Sequence, residues 1–508
     1  MTGMPPLTTT GQPPSRATAR KAPPAWAVML AVCAGQFLVV LDVSVVNVAM
    51  PTMRSSLGLS ELGLQWVVNA YVITFAGFLM LGGRTADLFG RKRVFLIGLG
   101  LFTAASLGGG LAQEPWQLIA ARTVQGIGAA VLAPATLTIL TTSFPPGHAR
   151  TRAVATWTAV GAGGGAAGGL VGGVLTEFLS WRWVLLINVP IGALVLAGAA
   201  FCLRESRQGE RRRLDVPGAL LVTGGLALVA YGIVQTGERG WTAAGALLPL
   251  VAGVAVLGAF VAVEARSAAP LMPLGVFRPR SVWATTSAMV VVGAGMFSMW
   301  YFLSLYTQNV LGYSALQAGL AFLPHSFSIV IGSKAAPRLM ALPRIGAKTV
   351  AVAGVLLAAV GMAWQSAMGL HGTYVGTILG PGITMALGAG LSATPIAAIC
   401  TAGAAAGDAG LVSGLINTSR QIGGALGLSV LSTVAAGVAG TGRAALADGY
   451  ALAFRVAAGV LLGSVLLMLL SLPGRAQDGE RAQDAERAQD GERTQGIGRN
   501  GAGEGAEA

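Results

Sequence analysis

"GGRTADLFGRKR", residues Gly82–Arg93, is a short polar interruption between two apolar runs at 64–83 and 94–112. Each run is close to the ~20 residues that a helix needs to cross the hydrocarbon core of a bilayer. The interruption holds four cations and one acid in its last ten residues. Apolar run, basic clip, apolar run is the pattern of two membrane helices joined on the side of the membrane that retains positive charge.

Working outward, the same alternation fills the chain. Runs at 25–50, 64–83, 94–112, 116–140, 153–177, 181–203, 216–234, 243–264, 282–306, 315–333, 349–368, 373–400, 410–437 and 450–472 predict fourteen transmembrane helices. Only 10% of the 508 residues are charged and 54% are hydrophobic, whereas a soluble domain carries about a quarter charged residues. The fold class expected is an all-α, multi-pass membrane protein. The first run, 25–50, is too long for a signal-peptide core and has no cleavage pattern, so it reads as an uncleaved span. Residues 1–24, rich in Pro, Thr and Arg, read as disordered. Residues 473–508 hold the hexads "RAQDGE", "RAQDAE" and "RAQDGE" between Arg475 and Glu492 and read as a low-complexity tail.

The positions of Lys and Arg support this count. With the N-terminus inside, inner segments carry 26 of the 33 Lys and Arg residues, and outer loops carry only Arg54, Arg182, Arg239 and Arg443. An even number of spans then puts both termini in the cytoplasm. Arg122, Arg420 and Arg455 fall inside spans. The net charge of +13 is this bias and does not call for nucleic acid. Cys33, Cys202 and Cys400 are scattered, as are His148, His325 and His371, so no disulfide framework, metal set or haem ligation is expected. "GAKT" (Gly346–Thr349) only approaches an ATP-binding loop, and "GGGAAG" (Gly163–Gly168) matches a dinucleotide pattern by accident, inside a span with no preceding strand. No cofactor or nucleophile site is found, and the chain is not read as an enzyme.

Charge inside a span is costly and marks function by default. Asp42, within "LVVLDVSVVNVAMP" (Leu38–Pro51), is the only acid well inside a span of the first half. Arg122, in "RTVQGIGAA", cannot shed its charge by deprotonation. The two are natural partners, directly or through Gln125 or water. Gln36 and Asn47 lie about three turns apart on one helical face and could line the same polar path. In the Gly82–Arg93 stretch, Gly83 and Gly90 permit a tight loop, and Asp87 stands four before Arg91 at ion-pair spacing. Gly161, Gly165, Gly169 and Gly173 form one stripe on the fifth span, beside a second of Gly164, Gly168 and Gly172, allowing close helix approach or bending. Arg420, in "NTSRQIGG" with Asn417 and Gln421 close by, has no obvious partner, because Asp408 is about three turns away. It either faces a water-filled cavity or snorkels to the inner surface. Trp66, Tyr71, Trp157, Trp300, Tyr301, Phe302 and Tyr306 offer aromatic faces to a flat or cationic ligand, or anchor and pack the helices.

Taken together these segments resemble the major facilitator superfamily. Gly82–Arg93 is similar to its cytoplasmic signature and "RTVQGIGAA" to its fourth-helix motif. "LDVSVVNVAMP", "WRWVLLINVPIG" (Trp181–Gly192), "YFLSLYTQNVLGYSALQAGLAFLP" (Tyr301–Pro324) and "GLVSGLINTSRQIGGALGLSVL" (Gly410–Leu431) resemble the fourteen-span drug:proton antiporter branch. The resemblance covers nearly all of residues 25–472. It departs at the antiporter motif, which usually carries prolines where this chain has Gly165 and Gly169. The loop 332–348, in the place of a second copy of the signature, lacks the acid.

The resemblance implies two six-helix bundles, 25–203 and 265–472, joined by a segment, 204–264, that holds two extra helices. It implies proton-coupled efflux of hydrophobic or amphipathic small molecules such as drugs or antibiotics from a bacterial cell membrane, by a monomer that alternates access. Asp42 and Arg122 would couple to protons, and Gly83, Asp87, Gly90, Arg91 and Lys92 would gate the cytoplasmic side. Gly161, Gly165, Gly169 and Gly173 would serve as hinge or packing positions. Gln36, Asn47, Tyr71, Gln125, Trp157, Asn417 and Arg420 would line the cavity for a hydrophobic or cationic substrate. Uptake of a metabolite by proton symport or passive facilitation is the alternative.

Overall fold

A computed structural model of the chain describes residues 24–145, 147–206, 214–267, 269–343, 345–404, 408–438, 440 and 442–472. The readings of residues 1–23 and of the tail 473–508 lie outside them. The described residues form long helices and no strand. We number the principal helices α1 (Ala25–Leu57), α2 (Glu61–Phe89), α3 (Arg91–Gly110), α4 (Pro115–Ser143), α5 (His148–Phe178), α6 (Trp183–Cys202), α7 (Val216–Arg239), α8 (Ala244–Arg266), α9 (Arg280–Val310), α10 (Ala315–Met340), α11 (Ala347–Gln365), α12 (Tyr374–Ala402), α13 (Ala409–Ala436) and α14 (Gly442–Ser471). The last five residues of α9 and the first six of α12 are π-helical turns.

Thirteen of these helices are long and apolar enough to cross a membrane. The exception is α13, whose 28 residues include the run Asn417, Thr418, Ser419, Arg420, Gln421. It nonetheless packs between α2, α7, α9 and α14, so the polar run lies inside a helical assembly and not at its periphery. Large apolar side chains such as Phe201, Leu248, Val254 and Leu470 point outward. Helices that satisfy their own backbone and present an apolar outer surface are suited to lipid, where unpaired N–H and C=O groups find no water.

Helices α1–α6 pack chiefly among themselves, and so do α9–α14. The strongest seams between these two groups run α5 to α10 and α2 to α13, with smaller contacts from α1 to α9 and α10. The extra pair α7–α8 lies over the second seam, where α7 touches both α2 and α13. Thr433 Oγ1 of α13 donates to the Ile233 carbonyl of α7 at 3.2 Å, and a Cβ on Gly77 of α2 would sit 1.9 Å from Thr223 Oγ1 of α7. Glycine is required there because the helices touch.

Near the chain ends Arg84 Nη1 of α2 donates to the Ala269 carbonyl, ahead of α9, at 3.0 Å, whereas three hydrogen bonds between helices of the two groups lie in the half of the molecule away from the chain ends. Ser304 Oγ donates to the Asn47 carbonyl at 2.6 Å, Gln308 Nε2 to the Val48 carbonyl at 3.0 Å, and Asn69 Nδ2 to Ser429 Oγ at 2.9 Å. Two of the arginines on that side have local partners. Arg54 pairs with Glu61, and Arg182 donates to the carbonyls of Gly110 and Ala112.

Two expectations need correction. Gly83 is not part of a loop: α2 continues through it to Phe89, and the turn contracts to Gly90, with φ +104°. Residues 84–89 include no proline or further glycine, so nothing stops the helix before Gly90. The glycine stripe of α5 does not act as one surface either. Gly164, Gly168 and Gly172 meet α1, where a Cβ would fall 3.1 Å from the Phe37 carbonyl, 2.4 Å from Ser44 Cβ and 2.9 Å from the Val45 carbonyl. Gly169 and Gly173 meet α10, at 3.3 Å from the Gly319 carbonyl and 2.8 Å from the Ala315 carbonyl. Gly161 and Gly165 have room for a methyl group, their nearest neighbours being Gln36 and Val40 at 3.5 and 3.6 Å. Stripes four residues apart drift around a straight helix, so its two ends can meet different partners.

Candidate functional site: a buried carboxylate–guanidinium cluster

Asp42 is completely buried and Arg122 is 2% exposed. Arg122 Nη1 donates to Asp42 Oδ2 at 2.5 Å. Gln125 Nε2 and Asn188 Nδ2 donate to Asp42 Oδ1 at 2.7 and 2.9 Å. The carboxylate therefore accepts from three side chains on two other helices. Arg122 also donates through Nε to the Val67 carbonyl at 3.1 Å and through Nη1 to Gln125 Oε1 at 2.7 Å. Its guanidinium carbon sits 4.3 Å from the centre of the Tyr71 ring, a cation–π contact. Ser106 Oγ accepts from Gln125 at 2.7 Å and from Asn188 at 3.4 Å. The cluster thus draws on α1, α2, α3, α4 and α6, five of the six helices of the first bundle.

The local sequence makes this possible. Arg122 and Gln125 are three apart on α4 and share a face. Gly126 lets α4 approach α2, where a Cβ would lie 2.1 Å from Thr74 Oγ1 and 2.4 Å from the Tyr71 carbonyl. Gly128 does the same toward α3, at 2.7 Å from the Phe102 nitrogen. The glycines of "RTVQGIGAA" hold three helices close enough for one arginine to reach all of its partners.

Gln125 and Tyr71, expected to line a cavity, belong to this cluster. Asn188 and Ser106 were not singled out from the sequence. Asn188 had a signal: an amide between "WVLLI" and "VPIG" in an otherwise apolar run. Ser106 had none, being one hydroxyl among many. Trp157 donates through Nε1 to Thr136 Oγ1 at 3.1 Å and braces α5 on α4. Gln36 and Asn47 are half-buried on α1, and the Asn47 carbonyl takes part in the seam to α9.

At the end of the bundles near the chain termini, Arg91 Nη2 lies 3.3 Å from Asp87 Oδ1. Glu205, which follows α6, reaches the start of α3. Its carboxylate accepts from the backbone N–H of Lys92 at 3.2 Å and of Arg93 at 3.1 Å. A carboxylate on the first N–H groups of a helix satisfies orphan donors and complements the helix dipole. Any Cβ on Gly90 would sit 2.3 Å from Glu205 Oε1, so both φ and space demand glycine. The Arg91 N–H donates to the Ser206 carbonyl at 3.1 Å, and Lys92 Nζ to the Ala200 carbonyl at 2.5 Å. Thus the α2–α3 junction is clipped to the end of α6.

A family model described as Major Facilitator Superfamily matches residues 32–428. The chain belongs to the major facilitator superfamily. It is 47% identical over 449 residues to a cephamycin export protein of Amycolatopsis lactamdurans, covering 88% of this chain and 92% of that one. It is 39% identical over 472 residues to a puromycin resistance protein of Streptomyces alboniger, covering 90% and 93%. Among solved structures, a proton dependent oligopeptide transporter shares the fold with a TM-score of 0.64 at 16% identity, covering 88% of this chain and 98% of that one. The facilitator architecture of two six-helix bundles and two extra helices, read from the motifs, is the architecture found.

In the second bundle Arg420 is on α13. Its Nη2 donates to Asn417 Oδ1 at 2.9 Å, one turn away on the same helix. Its Nε is buried without a hydrogen-bond partner among the described residues. The α9 backbone presses against it, since a Cβ on Gly293 would fall 2.1 Å from the Arg420 carbonyl. Facing away from the chain ends, an open polar vestibule of about 430 Å³ is lined by Thr52, Ser55, Thr176, Glu177, Gln308 and Asn309, among others.

Proposed function

We propose that this protein exports hydrophobic or amphipathic antibiotic-like molecules across a bacterial plasma membrane in exchange for protons. The two relatives whose names record cephamycin export and puromycin resistance support the export of such molecules. The observation that carries proton coupling is the Asp42 carboxylate, fully buried and held by three donors.

A proton taken up by Asp42 removes its charge. The ion pair with Arg122 is then reduced to a contact between a cation and a neutral acid, and the guanidinium keeps the Val67 carbonyl, Gln125 and the Tyr71 face. The attraction between opposite charges is lost when one of them is neutralised, so protonation shifts the relative free energies of two arrangements of the bundle that hold the pair differently. Because the cluster joins five helices, that shift acts on the whole bundle. One charge crossing the membrane carries about 2.3 kcal/mol per 100 mV, enough to bias a two-state rocker.

With both termini cytoplasmic, as the distribution of basic residues favours, the seams between the bundles lie on the outer half. The cargo would then load from the cytoplasmic side, with 25–203 and 265–472 as the rocking bodies and 204–264 as the link. The Gly83–Lys92 segment, clipped through Glu205, acts as the latch on the loading side. The glycine contacts of α5 with α10 act as the outer seal.

Everted vesicles containing the protein, with an acid interior that mimics the outside, should accumulate substrate, and Asp42→Asn vesicles should not. Emptying of preloaded vesicles under the same gradient would instead mark an importer. Accumulation at full rate by Asp42→Asn would remove Asp42 from the coupling.

A further inference from the structure

The two bundles differ in buried charge. In the first, the cation Arg122 is matched by Asp42. In the second, residues 265–472 contain only two acids, Asp408 and Asp448. Asp408 immediately precedes α13, twelve residues and therefore about 18 Å along the helix from Arg420. Asp448 is exposed near the start of α14, at the opposite end of the bundle. None of the four ion pairs among the described residues includes Arg420. Among the described residues its one polar contact is to Asn417, a neutral amide on its own helix, and its Nε is buried without a partner.

A guanidinium keeps its proton at any accessible pH. An uncompensated charge in low dielectric attracts a counter-ion strongly, because little water screens it. Arg420 is half-buried in the middle of a helix at the junction of the two bundles; its Nη2 gives one N–H to Asn417 and its Nε has no partner among the described residues, so its Nε–Nη2 fork is only partly used and can receive a planar anion. Carboxylates match that fork with two parallel hydrogen bonds.

We infer that Arg420 is the substrate-recognition cation, and that the preferred cargo is an amphipathic molecule bearing a carboxylate. This rests on the export reading above and departs from the hydrophobic or cationic substrate expected from the sequence. Arg420 and Asn417 hold the acid group, with Asn417 orienting the guanidinium. The apolar body of the cargo lies along the facing helices. Export of an anion is further aided by a membrane potential that is negative inside.

Everted vesicles containing the full chain test this with three probes: a cephamycin, which carries a ring carboxylate; its neutral methyl ester; and puromycin, which carries an amine. Under an acid-inside gradient the wild type should accumulate the acid roughly tenfold or more faster than the ester, the factor expected for a charge-assisted pair. Arg420→Gln should lose that preference by about the same factor and still accumulate the ester. Arg420→Lys should retain part of it, since an ammonium keeps the charge but not the fork. If the wild type accumulates ester and puromycin but not the acid, export stands and the inference is overturned. Equal handling of acid and ester by the wild type overturns it too, without recourse to any variant. If Arg420→Gln loses acid and ester alike while retaining its thermal stability, the residue serves the transport cycle and not recognition, and the inference again fails. If none of the probes moves, the export reading falls and takes this one with it.

Discussion

Arg122 and Arg420 pose the same physical problem in two bundles of one molecule. Each is a permanent cation in the middle of a membrane helix. Arg122 is enclosed: it has an anion at 2.5 Å, a glutamine, a backbone carbonyl and an aromatic face. Arg420 has one asparagine on its own helix and a buried, unpartnered Nε. On the proposed reading the first arrangement is complete without a ligand and changes when a proton enters it, whereas the second is completed by a ligand. On that reading the proton centre and the cargo centre occupy separate bundles.

That comparison can be broken most directly by removing each cation. Arg122→Ala leaves Asp42 as a buried charge without its counter-ion, a change that costs about 3–5 kcal/mol in comparable buried pairs. Poor expression, a large fall in thermal midpoint and loss of transport are expected. Arg420→Gln should leave the midpoint in detergent within a few degrees of wild type. Equal destabilisation by the two substitutions would show that Arg420 is also internally compensated.

Asp42→Asn keeps the shape of the cluster and most of its hydrogen bonds while fixing the charge. Gradient-driven accumulation should drop to background while equilibrium binding of the cephamycin probe stays within about threefold, less than 1 kcal/mol. Binding that is lost together with coupling would merge the two centres into one. Asn188→Leu sharpens the picture at a smaller scale. It removes one donor from the carboxylate, with an expected loss of about 1–3 kcal/mol in stability, readable as a shifted denaturation curve.

The glycine contacts between α5 and α10 give an internal control on bundle motion. Gly319→Ala places a methyl 2.1 Å from the Gly169 carbonyl. Overpacking of this sort costs about 1–3 kcal/mol and should open the seam, read as faster labelling of a cysteine introduced at Ser304. Gly161→Ala, with nothing nearer than 3.5 Å, should leave labelling unchanged. The smallest effect belongs to Glu205→Gln. It keeps an acceptor for the start of α3 but loses the charge, for about 0.3–1 kcal/mol and a slight fall in midpoint.

The partnership of Asp42 with Arg122 was legible because isolated charges in apolar runs are few and have few possible mates. The contribution of Gln125 was legible from its spacing to Arg122. Asn188 and Ser106 were not, because amides and hydroxyls occur throughout membrane helices and most bond locally. Glu205 was hidden for another reason. It lies more than a hundred residues from the turn it caps, in a polar segment where an acid is unremarkable. The division of the α5 glycines between α1 and α10 was likewise unreadable, since spacing identifies a face but not its occupant.

The sequence by itself determined that this is a helical, multi-pass membrane protein of the facilitator architecture, and which charges lie within its apolar runs. Those conclusions follow from transfer free energies, which depend on local composition, and from short motifs. The folded structure alone decided which helices meet, which acid answers which cation, and which cation is left unanswered. Those depend on distances between residues far apart in the chain, set by helix packing, and no local property of the sequence encodes them.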